Sequence, residues 1–129
     1  MKITDYKNFI TQSFQNIATN YNMKWITSDD YIMRLSNENS EIYFSTEKYS
    51  DDLILTINNK KQKEYYTIYN LSMKILGNLD YLSSDEVEQS ISFNDNIKSI
   101  VFVSSIFIKN YCQDLLNGDF SSVGKGSPL

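Results

Sequence analysis

The sequence predicts an α+β fold: an antiparallel meander of four to five strands, with an N-terminal helix and a long C-terminal helix packed on one of its faces. Apolar residues recur at three- and four-residue spacing near both ends of the chain, whereas between residues 23 and 70 they alternate with a period of two. No helix-length segment separates the strands, so the long crossovers that parallel strands require are not available. The 129 residues suit a single domain.

The first predicted element is a helix over residues 4–20. Thr4 can cap its N-terminus, and large apolar side chains then recur along one side of the helix. These side chains are Tyr6, Phe9, Ile10, Phe14, Ile17 and Tyr21. An amphipathic helix of this kind needs a surface to pack on, and the sheet is the expected one.

The predicted strands follow one another as hairpins. Alternating apolar and polar residues mark them at 23–27, 31–36, 42–47, 53–58 and 64–70. The sheet has four strands without the short segment 23–27 and five strands with it. The loops at 37–40 and 58–62 are polar, which is typical of hairpin connections.

Beyond residue 70 the pattern becomes helical again. A short helical piece at 71–76 should stop at Gly77. Ser83 and Glu86 then have the spacing of a capping box, in which each residue satisfies a backbone N–H of the other. We therefore expect another short helix to begin at this point.

The longest predicted helix begins near Ser92 and Asp95 and ends at Gly118. Its core-facing residues would be Phe93, Ile97, Ile100, Val101, Phe107, Ile108, Tyr111 and Leu115. The predicted domain accordingly covers residues 1–118, and residues 119–129 are expected to form a flexible tail.

The stretch GDFSSVGKGS, residues 118–127, looks at first like a phosphate-binding loop. A Walker loop places four residues between its first glycine and Gly-Lys-Ser/Thr, whereas five residues separate Gly118 from Gly124, and Lys125 is followed by Gly126. The preceding element is a helix where a strand is required, and too few residues follow for a second helix. We predict no nucleotide site and no cofactor.

The residue inventory also argues against an enzyme. The chain has no histidine and one cysteine, Cys112, which excludes internal disulfides, Cys/His zinc sites and histidine general bases. The adjacent acids at 29–30 and 51–52 lie in turn-like sequence, where carboxylates are usually solvated. We expect neither a catalytic site nor a metal site.

Charge and hydropathy narrow the range of partners. The net charge is −4, and Arg34 is the sole arginine among twelve basic residues, which disfavours nucleic acid as a partner. Lys60, Lys61 and Lys63 are most simply a solvated hairpin loop. The N-terminus lacks a secretory apolar core, and the longest apolar run, 99–108, is about half of a bilayer span. A cytoplasmic protein that does not bind membranes is expected.

Aromatic residues are the most informative feature. Ten tyrosines and seven phenylalanines exceed what one sheet face can hide. Alternation places on the face away from the two helices Tyr43 and Ile54, with either Tyr65 and Tyr69 or Tyr66 and Ile68. That face is expected to be either an aromatic binding patch or a surface covered by the segment 71–92.

Acidic residues lie next to this patch in the predicted hairpin. Glu47, Asp51 and Asp52 would form its rim and favour a basic partner. The predicted partner-binding residues are Glu47, Asp51, Asp52, Tyr43, Tyr65 and Tyr69.

The whole-chain pattern resembles a known class of proteins. The features in common are the small acidic chain, the composition rich in Asn, Lys, Ile and Tyr, the helix–meander–helix order, and the ending DLLNGDF at residues 114–120. Together they resemble the small immunity proteins of bacterial polymorphic-toxin and contact-dependent inhibition systems. The resemblance implies a non-catalytic protein that binds and neutralises a cognate toxin.

Two other functions stay open. The chain could be an accessory or self-associating domain that forms a homodimer through the same patch. A histidine-free hydrolase is the third alternative, and it would need a carboxylate buried in a closed pocket.

Overall fold

The structure, a computed structural model, describes the backbone of residues 1–129 and the side chains of residues 1–26 and 29–129. Within that description the sheet has six strands in chain order, and each neighbouring pair is antiparallel. They are β1 (Lys24–Asp29), β2 (Ile32–Ser36), β3 (Ser40–Thr46), β4 (Leu53–Asn59), β5 (Glu64–Thr67) and β6 (Ser127–Pro128). The predicted antiparallel meander is confirmed, and β6 adds a strand that was not predicted.

The helices lie on one side of the sheet. In the described backbone they are α1 (Lys7–Ser13), α2 (Gln15–Asn20), α3 (Ile68–Ile75), α4 (Ser84–Ser92), α5 (Asn96–Tyr111) and α6 (Gln113–Leu116). The N-terminal helix α1 contacts α5, and α5 and α6 contact β4 and β3, so the N-terminal and C-terminal helices pack as the sequence pattern predicts. No helix of the described chain is long and apolar enough to cross a bilayer.

The N-terminal helix differs in detail from its prediction. The chain begins with a 3₁₀ turn, Ile3–Tyr6, and the α-helical part is interrupted at Phe14. Thr4 does not cap the helix because it lies inside the 3₁₀ turn. The Phe14 ring meets Phe44 of the sheet edge-on, with ring centroids 5.0 Å apart, so the interruption coincides with a core contact.

The long C-terminal helix is shorter than predicted. Asp95 caps α5, because its Oδ1 accepts hydrogen bonds from the backbone N–H groups of Ile97 and Lys98 at 2.9 and 3.1 Å. The helix ends at Cys112, whose backbone leaves the helical region, and α6 resumes for one turn. Tyr111, predicted to face the core, is therefore at the exposed end of α5.

The boundary between β5 and α3 was also predicted too late. Thr67 accepts a hydrogen bond from the Asn70 N–H at 3.1 Å and caps α3, so the strand stops at Thr67 instead of residue 70. By contrast, the capping box of Ser83 and Glu86 is present at the start of α4.

The core lies between the sheet and the helices. The fully buried side chains of the sheet on this side are Met33, Leu35, Ile42, Phe44 and Ile57. From α5, Val101, Phe107 and Ile108 are buried against them. Burial of large apolar side chains on this scale is the main stabilising term of a domain of this size.

Residues 119–129, which we call the C-terminal segment, are part of the packed domain. Phe120 and Val123 are buried, and the Phe120 ring stacks on Tyr66 with centroids 5.6 Å apart. The Tyr66 hydroxyl donates to the Gly124 carbonyl at 2.6 Å, and β6 pairs with β5. The predicted domain boundary at residue 118 and the tail beyond it are therefore corrected: the packed chain continues to β6.

The glycines of the GDFSSVGKGS stretch serve this packing. Gly124 has a φ of +65°, which side chains other than glycine rarely allow. A Cβ on Gly126 would lie 2.8 Å from both the Tyr65 carbonyl oxygen and the Tyr66 ring. The glycines thus let the C-terminal segment cross closely over Tyr66.

Candidate partner-binding surface

The sheet face turned away from the helices, which we call the outer face, is the candidate site. Residues paired across neighbouring strands point to the same side, so the register defines three rows of side chains. The rows are Lys24, Ser36, Glu41, Asn58, Tyr65; then Ile26, Arg34, Tyr43, Thr56, Thr67; then Ile32, Ser45, Ile54. Aromatic, aliphatic and polar groups are therefore mixed on one surface.

A shallow concavity lies at the centre of the outer face. Its volume is about 390 Å³, and its lining residues are Tyr43, Ser45, Ile54, Thr56, Asn58, Tyr65 and Leu129. Ile54 is 49% exposed, and the two tyrosines are half-buried. Thr56 and Asn58 form a buried polar floor in which the Thr56 hydroxyl donates to Asn58 Oδ1 at 2.9 Å. Rings flanking a satisfied polar floor suit contact with another protein.

Two of the three tyrosines predicted for this surface lie on the outer face. Tyr43 and Tyr65 both lie on the outer face, as one of the two predicted arrangements has it. Tyr69 does not, because α3 starts at Ile68 and carries it out of the sheet, where it is 64% exposed. The predicted alternative, in which the segment 71–92 covers this face, is wrong. α3 and α4 contact α5 on the helix side of the sheet, so that segment leaves the outer face open.

Arg34 is an outer-face residue that sequence reasoning did not select. Its Nη1 lies 3.7 Å from Glu41 Oε2, which is long for a charge-assisted hydrogen bond, and its buried Nε has no partner in the described structure. It stands directly opposite Tyr43 across the strand pair. The alternation of β2 already places Arg34 on the side away from the core. Because arginine is also common at the centre of protein interfaces, this outward position together with the residue type is a signal for a contact residue.

The predicted acidic rim lies at one end of the sheet. Glu47, Asp51 and Asp52 are exposed in the loop between β3 and β4, next to the outer-face row that contains Ile54. At the same end, Asp29 closes β1 and Asp30 lies in the turn that follows; both are exposed, and Asp30 forms an ion pair with Lys2 at 3.5 Å. The acids lie beside the aromatic residues, where the hairpin pattern predicts them, and Asp29 is an additional exposed acid at this end.

The pKa of Tyr6 is raised above its ordinary value. Burial is the largest cause, followed by the hydrogen bond from the Tyr6 hydroxyl to Asp95 at 2.9 Å and by the charges of Asp95 and Asp51. The Tyr6–Asp95 contact joins the start of α1 to the cap of α5 and is separate from the outer face.

The opposite end of the sheet carries a lysine-rich loop. Lys60, Lys61 and Lys63 follow β4 in the loop that leads to β5. Because neighbouring hairpin loops alternate between the two ends, this loop is at the other end from Glu47 and Asp52. Glu38, in the loop between β2 and β3, lies beside Lys60 and Lys61, so acidic and basic groups are mixed at this end.

The other chemically reactive groups are held in packed positions. Burial raises the pKa of Cys112 to about 12, so its thiol stays protonated. Glu41, the acid among the buried residues, pairs with Arg34, and the outer-face concavity has no acid in its lining. Among the described residues, no three metal-ligating side chains are grouped.

No protein-family model, no curated protein and no solved structure matches the chain. Its function is therefore inferred from the residues themselves.

Proposed function

We propose that this chain is a non-catalytic binding module, and specifically an immunity protein that neutralises a cognate bacterial toxin domain in the cytoplasm. The contact surface is the outer face, joined at its acidic end by Glu47, Asp51 and Asp52. The toxin domain is held by shape and charge, and no bond is made or broken.

The observation that carries this proposal is the outer face itself. A sheet face with exposed Ile54 and half-buried Tyr43 and Tyr65 is left open by every described helix. Tyrosine and arginine are the residue types most often found where binding energy is concentrated, and Arg34 stands opposite Tyr43. The adjacent acids favour a basic partner and speed its approach at low salt.

Growth rescue tests the proposal. Toxin domains encoded beside this chain in its source genome are expressed in a heterologous bacterium with and without the chain. We expect wild-type chain to restore growth against one of them, and Tyr43→Ala/Tyr65→Ala to lose that protection. Asn16→Ala, an exposed change on α2, is the matched control and should protect fully.

Two results would contradict the proposal. One is that the chain protects against none of these domains; the other is that the double tyrosine variant protects as well as wild type while remaining folded. Rate measurements add an independent check, because association with a basic domain should slow as ionic strength rises.

Self-association through the outer face is the second candidate function. The observation in its favour is the different charge of the β3–β4 and β4–β5 loops, since two copies placed face to face in opposite directions would bring Lys60 and Lys61 near Glu47 and Asp52. Sedimentation of the purified chain tests it. A monomer at high micromolar concentration would rule out a stable homodimer, whereas a dimer lost in Ile54→Ser would support it.

A further inference from the structure

Helix α4 is unusual in this fold because none of its residues is buried. It packs on α5 as the other half of a helical hairpin: the Ser99 hydroxyl donates to the Ser90 carbonyl at 2.7 Å, and the Phe93 and Phe102 rings meet edge-on at 5.4 Å. Glu86, Ser90 and Phe93 are half-buried and recur at helical spacing, so they define the side of α4 toward α5. That side is mostly polar.

The apolar residues of α4 face away from this contact. Val87 and Ile91, one turn apart, are 42% and 73% exposed. Leu79, in the loop that leads into α4, is exposed as well. A surface helix normally turns its apolar stripe toward the core. Here the stripe points outward, which is typical of a helix that contacts another molecule.

Acidic residues accompany this stripe. Between Lys74 and Lys98 the chain contains no basic residue and five acids: Asp80, Asp85, Glu86, Glu88 and Asp95. Glu88 is an exposed neighbour of both, because it follows Val87 directly and precedes Ile91 by one turn, whereas Asp85 is exposed on the side of α4 roughly opposite Val87. Neither acid forms part of the ion pairs found in the described structure, Lys2–Asp30 and Arg34–Glu41. Val87, Glu88 and Ile91 together are called the α4 surface.

The nearest cations in the sequence are engaged elsewhere. The Lys74 ammonium donates to the carbonyls of Val123 and Lys125 at 2.9 and 3.1 Å, and the Lys98 ammonium lies 5.6 Å from the centre of the Phe9 ring. Glu88 of the α4 surface therefore has its charge available for a partner. A partner that complements it must combine apolar and basic groups at helical spacing.

We propose that the α4 surface docks a basic amphipathic helix of a protein partner. Apolar side chains of that helix would rest on Val87 and Ile91, and a lysine or arginine beside them would pair with Glu88. The surface belongs to the helix layer and is separate from the outer face. A second copy of this chain would instead bring two acidic stripes together, and an anionic membrane would be repelled.

A synthetic peptide tests the inference without the toxin. The probe is a helix of leucine and lysine with leucine at i, i+3, i+4 and i+7, and its control is a scrambled peptide of the same composition. We expect the first peptide to bind the whole chain, with NMR shift changes centred on residues 84–92. The scrambled peptide should bind about tenfold more weakly or worse, because it cannot place leucines on one face.

Variants then separate the apolar and charged contributions. Val87→Ser/Ile91→Ser should weaken binding of the amphipathic peptide by about tenfold or more, since two apolar contacts are removed. Glu88→Lys should weaken it and reduce its dependence on salt. Ile54→Ser makes the same kind of change on the outer face and should leave this binding unaltered. Because these side chains are exposed, circular dichroism should show all three variants folded.

Several outcomes would overturn the inference. Equal binding of both peptides would mean that charge alone attracts them, and shift changes away from residues 84–92 would place binding elsewhere. A dimer that dissociates in Val87→Ser/Ile91→Ser would make a second copy the occupant. Binding to vesicles with anionic lipid, lost in the same variant, would make it a membrane surface. None of these results bears on toxin rescue through the outer face.

Discussion

The two faces of the sheet are built from the same strands and yet differ in what their side chains contact. On the inner face, Phe44 and Ile57 are fully buried beneath the helices. On the outer face, Ile26 is 43% exposed and Tyr43 is half-buried. Tyr65 and Tyr66 show the difference within two consecutive residues, since the first faces outward and the second is 2% exposed.

The contrast separates stability from recognition. Side chains on the inner face lose most of their water contact on folding, so their truncation should lower the free energy of unfolding. Side chains on the outer face keep part of their surface in water and contribute less to folding. Their size and chemistry are available for a partner. Substitutions can test this separation one residue at a time.

The largest expected effect is that of Tyr66→Ala. This change removes the stacking with Phe120, the hydrogen bond to the Gly124 carbonyl and a cation–π contact with Lys74. We expect the free energy of unfolding to fall by about 3 to 5 kcal/mol, as for other buried aromatic truncations. Urea unfolding followed by circular dichroism measures it.

Tyr65→Ala is the matched control for that prediction, because it removes the same side chain from the neighbouring position. It should cost about 1 kcal/mol or less, while weakening partner capture. If the two variants were equally destabilised, the separation of the faces into stability and recognition would be wrong.

Much of this contrast could be read from local sequence. Alternation placed Tyr43 and Ile54 on the outer face, because a period of two assigns faces wherever a strand is correctly bounded. It failed for Tyr69, because the Thr67 hydroxyl caps a helix and ends the strand early. Alternating residues alone do not distinguish a strand from the first turn of a helix.

Contacts between distant residues were beyond local patterns. Tyr66 and Gly124 are joined by a hydrogen bond, and β6 pairs with β5, across most of the C-terminal half of the chain. The glycines after residue 117 predicted only a helix stop and a flexible tail. Likewise, the spacing of Ser83 and Glu86 predicted a helix, but which side of α4 meets α5 depends on packing. Local periodicity does not contain that information.

Gly126→Ala is the second largest expected effect and tests how the C-terminal segment closes the β5 edge. The new Cβ would lie 2.8 Å from the Tyr65 carbonyl oxygen and from the Tyr66 ring, so the segment must shift. We expect a loss of about 1 to 3 kcal/mol, as for other overpacked sites. Hydrogen exchange at the Leu129 amide, which donates to the Lys63 carbonyl, should become faster.

Gly77→Ala is the comparison for this change. Gly77 also resists substitution, because its φ is +74°, but no atom beyond its neighbours in the chain lies within 4 Å of the added Cβ. It should therefore cost stability through backbone strain alone and leave exchange at Leu129 unchanged. Unaltered exchange in Gly126→Ala would mean that the close approach over Tyr66 does not hold the segment.

A smaller effect on stability is expected from Asp51→Lys/Asp52→Lys. Both residues are exposed in the loop between β3 and β4, and surface changes of this kind alter the free energy of unfolding by about 0.5 kcal/mol or less. Association with a basic partner should slow at low salt and lose much of its salt dependence. Stopped-flow binding at two ionic strengths measures both. Unchanged rates would remove this loop from the interface.

The smallest expected effect is that of a substitution at Asp95, in the helices that cover the inner face. Asp95 links α5 to the start of α1, because it caps α5 and accepts a hydrogen bond from Tyr6, the residue before α1. Burial opposes ionisation of Asp95, but the hydrogen bonds from the Lys98 N–H, the Tyr6 hydroxyl and the Ile97 N–H outweigh it and lower its pKa. Because the pKa of Asp95 is lower in the folded than in the unfolded chain, its ionised form stabilises the fold at every pH above the unfolded pKa of about 3.9. This stabilisation is lost as the pH falls through the folded-state pKa.

Asp95→Asn should therefore be slightly less stable than wild type at pH 7, because asparagine keeps the cap but not the charge. The difference in free energy of unfolding should narrow below about pH 4, where wild type takes up a proton. Urea unfolding between pH 2.5 and 7, at values set by that reference pKa, measures the gap. Asp52→Asn, in the exposed loop, is the control, and its free energy of unfolding should not differ comparably from that of wild type at either end of this pH range. A gap for Asp95→Asn that stayed constant with pH would mean that its charge does not contribute to holding the two helices together.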